Sequence, residues 1–294
     1  MGEYDWPTSN HGIELDNMDN VWIGGNGQGD SHVLKFSRDG RFLAQFGSPD
    51  ARVSGTDGEN TLFESGSNDP VNFGRVAKLS LDAEANELFV ADGYLNKRVV
   101  VLDADDGSFK RYWGAYGNRP DDEAGRMLGR YTPGETPPRE FRGPVHCAEP
   151  SVDGLVYVCD RAADRIQVFQ KDGTYVNEVI ISPNTLSQGS VWDIAFSPDP
   201  DQTYLYLADG QNMKVYIIMR ESMEILTSFG DGGRQPGLFF AVHSIATDSD
   251  GNIYTTETYE GSRLQKFVYL GIGPIPSANQ GALWPGETHT YGGM

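Results

Sequence analysis

The chain has 294 residues, 38% of them hydrophobic, enough to bury the core of one large all-β unit. Its 36 glycines and 16 prolines favour short strands joined by tight turns, and no run approaches the roughly 18 consecutive apolar residues of a membrane helix. Lys plus Arg number 23 against 42 Asp plus Glu, a formal charge of −19 that repels phosphate backbones and anionic surfaces and argues against nucleic acid or membrane as partner.

In chain order, the segment GEYDWPTS after Met1 has no basic stretch and no apolar core, so no export signal is read there. The expected location is extracellular or periplasmic if an upstream leader has been removed, and cytoplasmic otherwise. Five related stretches follow: HGIELDNMDNVWIGG from His11, AKLSLDAEANELFVAD from Ala77, HCAEPSVDGLVYVCD from His146, WDIAFSPDPDQTYLYLAD from Trp192 and VHSIATDSDGNIYTTE from Val242. Each reads as an alternating strand, an Asp/Asn/Gly-rich turn and a second strand. A third strand comes next (KRVVVLD, DRIQVFQ, MKVYIIM), and in several copies a fourth that ends in an aromatic residue plus glycine (FLAQFG, FKRYWG, EILTSFG).

Four-stranded units at this period predict a β-propeller, here as one domain over 1–294 with blades at about 10–47, 71–114, 141–180, 190–230 and 240–270. A sixth blade is expected, because a propeller closes to remove sheet edges; residues 271–294 hold little β pattern, which points to an amino-terminal blade absent from this chain. Two polar Gly/Pro-rich insertions, 48–70 and 115–140, should lie over one rim as loops. Cys147 and Cys159 flank the turn SVDG; a disulfide and a pair of free thiols both fit that spacing, so the redox compartment stays open.

Aligning the repeats puts His11, Ala77, His146, Trp192 and His243 at one blade position. First strands line the central channel of a propeller, so His11, His146 and His243 should converge from distant parts of the chain. Three neutral imidazoles are good ligands for zinc or another borderline divalent metal and leave a coordination position open. A structural histidine bonded to backbone is the competing reading, and local zinc spacing such as HExxH is absent. His32 and His289 fall outside the register and are expected to be solvated.

Tyr94 and Arg161 sit where second strands run out toward the rim. A phenol beside a divalent cation can serve as base, and a guanidinium can hold a carboxylate bidentately. The plainer alternatives are a turn aromatic for Tyr94 and an ion pair of Arg161 with Asp160 or Asp164. The turns DNMDN (16–20), DADDG (103–107) and DSDGN (248–252) alternate carboxylates as calcium loops do but lack the distal glutamate, and Asp-Gly hairpin turns explain them more simply.

The blades resemble NHL repeats, and their polar residues resemble the peptidyl-α-hydroxyglycine α-amidating lyase family over 10–270. N-H-G at His11, V-H-C at His146 and V-H-S at His243 match the family's three histidine segments; ADGYLNKR carries its tyrosine at Tyr94 and CDRAADRI its arginine at Arg161. The resemblance implies a zinc ion on three histidines and cleavage of a C-terminal α-hydroxyglycine carbinolamide to an amide and glyoxylate. It also implies calcium, but Ala241 and Ser244 replace the family's methionine and calcium-binding aspartate. A further family arginine would lie upstream of His11, and the family's disulfide cysteines do not align with Cys147 or Cys159. The expected function is thus a zinc-dependent carbon–nitrogen lyase acting on a small molecule or peptide. The alternatives are a binding propeller without chemistry and a metal-dependent ester or lactone hydrolase.

Overall fold

The alternating runs become antiparallel strands in the order the repeats predict. A computed structural model describes residues 4–51 and 66–273. The first sheet holds β1 (Asn10–Leu15), β2 (Val21–Gly25), β3 (His32–Phe36) and β4 (Phe42–Gly47); the second holds β5 (Val76–Asp82), β6 (Glu87–Asp92), β7 (Arg98–Asp103) and β8 (Phe109–Trp113). β9 (Val145–Pro150), β10 (Leu155–Asp160), β11 (Arg165–Gln170) and β12 (Tyr175–Ile180) form the third. The fourth comprises β13 (Asp193–Phe196), β14 (Tyr204–Asp209), β15 (Lys214–Met219) and β16 (Glu224–Phe229), and the fifth has β17 (Val242–Thr247), β18 (Ile253–Glu257) and β19 (Leu264–Phe267). These five sheets, set in a ring, make a five-bladed β-propeller. The described residues supply no sixth sheet, and 274–294 lie outside them.

Burial explains the strand compositions. Middle strands are covered on both faces by the adjoining blades, so ELFVAD and RVVVLD are near-continuous apolar runs, whereas the outer strand FKRYW is largely solvent-facing. The core is divided into layers between neighbours. Trp22 and Val33 pack on Leu79 and Leu88; Phe89 and Trp113 pack on Val145 and Phe169; Cys147 and Ile166 meet Ile194 and Leu205; Tyr206 and Val215 meet Val242 and Ile253. The blades approach closely at some turns: a Cβ on Gly93 would lie 2.1 Å from the Val145 carbonyl oxygen.

Buried ion pairs recur at the ends of second strands, with Arg98 Nε 2.8 Å from Asp92 and Arg165 Nε 2.9 Å from Asp160. Cys147 and Cys159 face each other across β9 and β10 and form a disulfide with an S–S distance of 1.95 Å. Of the two insertions, 52–65 lies outside the described residues. The 115–140 segment carries a short helix, α1 (Asp122–Met127), because Asp121 caps it by accepting from Glu123 N and Ala124 N, each at 3.0 Å. Asp122 in turn accepts from Ser67 N at 2.6 Å, joining the described parts of both insertions. No helix among the described residues is long and apolar enough to cross a membrane.

Candidate active site

The repeat position that holds the histidines is a bulge. Pairing shifts between Asn10 and Ile13 in β1, between Val242 and Ser244 in β17, and opposite Cys159 and Asp160 in β10, so that His11, His243 and His146 each fall out of the ladder. β5 has the same shift around Ala77. A bulge re-aims a side chain, which here turns each imidazole toward the axis.

The three rings converge, with centroids 5.2 Å (His11–His146), 4.7 Å (His11–His243) and 4.9 Å (His146–His243) apart. Their potential ligand atoms all lie within 4.8 Å of one another. Two rings are oriented by the same register position of a following blade: His11 Nδ1 lies 2.6 Å from the Ala77 carbonyl and His146 Nδ1 2.5 Å from that of Trp192. A carbonyl only accepts, so both Nδ1 atoms carry the proton and both Nε2 lone pairs face the axis. His243 Nδ1 lies 3.1 Å from Ser244 Oγ. Burial drives the His11 pKa down to about 4, against the Ala77 hydrogen bond, with a smaller push from the Arg161 charge. Burial, with His11, Arg161 and Lys78 adding to it, takes His243 to about 3; burial also holds His146 well below the ordinary histidine value. All three imidazoles are neutral at physiological pH.

Tyr94, from the turn between β6 and β7, places its hydroxyl 2.9 Å from His11 Nε2 and 3.0 Å from His146 Nε2. Burial raises its pKa, while the Arg161 charge and hydrogen bonds from Arg161 and Asn26 pull the other way. Arg161 comes from the equivalent turn after β10. Asp160 is taken by Arg165 and by Gly143 N at 2.7 Å, and Asp164 accepts from Ser190 N at 2.8 Å, which leaves Arg161 without the ion pair that the sequence offered. Arg161 is 8% exposed as a residue, and its guanidinium lies 4.6 Å from the Trp192 ring centroid, with Nη1 3.3 Å from Tyr94 Oη, Nη2 3.3 Å from Gln188 Oε1, and no hydrogen-bond partner for Nε among the described residues. Charge-assisted bonds are ordinarily ~2.7–2.9 Å, so Arg161 is a buried cation with spare donor capacity.

A cavity of about 740 Å³ begins at His11 and His146 and runs past Glu14, Lys78, Glu149 and Asp193. Lys78 Nζ sits 2.6 Å from both Glu149 and Asp193, so one ammonium ties together β5, β9 and β13, and Asp193 extends the link to β17 by accepting from Ile245 N at 3.0 Å. Burial opposes the Lys78 charge, but the two carboxylates overcome it and raise its pKa.

Sequence reasoning missed this hub, and it missed Asn26, Gln188 and Tyr259 at the mouth. Asn26, Tyr94, Arg161 and Tyr259 all come from turns between second and third strands. The register applied to first strands, carried over the first two residues after each second strand, would have found Asn26 and Tyr259 beside Arg161 and Tyr94. His32 is a correction: it is 1% exposed rather than solvated, with Nε2 2.7 Å from the Asp5 carbonyl, a contact across 27 residues. His289 lies outside the described residues. At the acidic turns, Asp16 is engaged by Asn20, Trp22 and Lys35, and Asp248 by Asn252 and Tyr254, as closed hairpin turns.

Comparison with known proteins bears on this geometry. No protein-family model matches the chain. It is 25% identical over 206 residues to peptidyl-glycine alpha-amidating monooxygenase B of Xenopus laevis, a match that spans 67% of this chain and 21% of that protein. Among solved structures, virginiamycin B lyase from Staphylococcus aureus has a TM-score of 0.52 at 15% identity, covering 90% of this chain and 71% of that one. A streptogramin B lyase has a TM-score of 0.51 at 13% identity, covering 90% and 70%. The structural likenesses establish the propeller fold. The similar proteins are enzymes, and one of them acts in peptide amidation by its name.

Proposed function

We propose that the chain is an NHL-type propeller lyase that cleaves an α-hydroxyglycine-like carbinolamide to an amide and glyoxylate. In this reading His11, His146 and His243 hold zinc or another borderline divalent ion, Tyr94 moves the proton and Arg161 anchors the carboxylate. The observation that carries it is the convergence of neutral imidazoles, a phenol and an under-satisfied guanidinium at one mouth.

The donor set fits such an ion: neutral nitrogens within 4.8 Å of one another, two of them with Nδ1 fixed by backbone carbonyls. When bound, the ion supplies Lewis acidity toward the substrate hydroxyl. With its own proton first released to solvent, as the adjacent Arg161 charge favours, the Tyr94 phenolate oxygen would take the hydroxyl proton, the former O–H electron pair would form the aldehyde C=O, and the C–N bond would break with its electrons going to nitrogen. Tyr94 returns the proton to that nitrogen, so the same group serves as base and then acid. Arg161 offers its donors to the carboxylate and fixes the carbinol carbon beside Tyr94. The Cys147–Cys159 bond favours an oxidising setting outside the cytoplasm, and the partner is a small-molecule or peptide substrate.

The test is glyoxylate release from a peptide ending in α-hydroxyglycine, run beside hydrolysis of a simple ester. The lyase reading predicts glyoxylate from the unaltered protein, with loss in Arg161→Ala. Ester cleavage without glyoxylate would make it a hydrolase, and inertness toward both in metal-loaded protein would leave a binding propeller.

A further inference from the structure

Gln188 reaches the mouth from the β12–β13 connection, flanked by Ser187 and Gly189 at φ +68° and +77°. Its amide is held on two sides. Oε1 accepts from Arg161 Nη2 at 3.3 Å, and the Tyr259 hydroxyl, from the β18–β19 turn 71 residues away, lies 3.1 Å from Nε2 and 3.2 Å from Oε1. Tyr259 is 56% exposed yet adopts φ +53°, a conformation uncommon for an aromatic residue, so the turn presents its hydroxyl to Gln188 at a backbone cost. The pair bridges two blades across the mouth.

We infer that Gln188, steadied by Tyr259, is a specificity-determining residue for an anionic substrate. In the free protein its Oε1 stands in for a carboxylate oxygen on Arg161. An incoming carboxylate takes that place, and the Gln188 amide, still bonded to Tyr259, presents Nε2 as a second donor to the same carboxylate. The 3.3 Å contact is long for a guanidinium bond and cedes readily to a charged acceptor. A glutamate at 188 would fill Arg161 permanently. This inference rests on Arg161 as the anchor and adds the residue that selects for charge.

Calorimetric titration with N-benzoylglycine, an acylglycine with a free carboxylate, tests it without any chemical step, with N-benzoylglycinamide as the uncharged control. The expected results are saturable binding of the acid but not the amide, loss in Arg161→Ala, and about tenfold or greater weakening in both Gln188→Glu and Gln188→Ala. Tyr259→Phe should weaken binding less, and add little when combined with Gln188→Ala, because the two act as one unit. Binding unchanged in Gln188→Glu and Gln188→Ala but lost in Arg161→Ala overturns the role of Gln188 alone. No binding by the unaltered protein, or equal binding by Arg161→Ala, overturns the Arg161 anchor and this inference together. Unfolding midpoints of each variant separate a folding defect from a binding one, and Tyr259→Phe, at an exposed side chain, supplies an independent readout.

Discussion

The carbonyls of Ala77 and Trp192 decide what His11 and His146 can do, since a ring that must donate through Nδ1 keeps Nε2 as an acceptor. Burial reinforces this by disfavouring the imidazolium. The consequence is a pH window: with His11 at about 4 and His243 at about 3, an ion held by these rings as proposed should stay bound at pH 5, where an ordinary solvated histidine site, titrating near 6.5, would release it. Metal content after dialysis between pH 7 and 4 checks this, and release centred near pH 6.5 would contradict it. These groups bind fewer protons folded than unfolded below pH 6.5, so in metal-free protein they withdraw stability as pH falls from there. Tyr94→Phe should lower glyoxylate release by about 10²–10⁴-fold with metal content unchanged. The histidines were legible because a repeat multiplies the evidence for one position. Tyr94 and Arg161 stood out through their resemblance to known segments. His32 was not legible, because what buries it is a tertiary contact with the amino-terminal segment.

At the level of strands and turns, the bulge is the device that matters. Without the extra residue, the alternation of β9 would carry His146 along with the interblade face rather than toward the axis. The alternating pattern made the strands readable, but the bulge changes only backbone pairing and leaves no mark in composition. The turns after second strands show another limit: their lengths differ, so side chains from different offsets reach the same mouth. Two such turns carry a pH-dependent cost. Burial raises Asp164 to about 7 and Asp209 to about 6, each against hydrogen bonds that favour the carboxylate. Folded protein therefore binds more protons than unfolded between about pH 4 and 7; the stability these groups contribute is complete below that range and lost as pH rises through it. Asp164→Asn suits the φ of +54° at this position and should flatten the decline. Urea unfolding at pH 5 and pH 8 is the measurement, and an unchanged difference between the two would refute the assignment.

Across the whole molecule, the ring makes neighbours of His11, His146 and His243, which lie on separate blades. Core layers between adjacent blades hold that geometry. Phe89→Ala, in the layer between the second and third blades, should cost about 3–5 kcal/mol in chemical denaturation, and a loss well under 1 kcal/mol would mean that this layer does not carry the fold. The repeats made five units readable, but the sixth blade expected from ring closure is not among the described residues, where five sheets make the ring. The axial Lys78–Glu149–Asp193 hub was not readable, since its members belong to three strands whose facing positions only the closed arrangement reveals.

Whether the three histidines hold a metal is decided by zinc content per chain after equilibration with zinc and exhaustive dialysis, on the unaltered protein and on the His11→Ala, His146→Ala and His243→Ala variants. One tightly held ion per chain, lost in each folded variant, is the expected result. Unaltered protein that retains no metal, or variants that retain it in full, would contradict it.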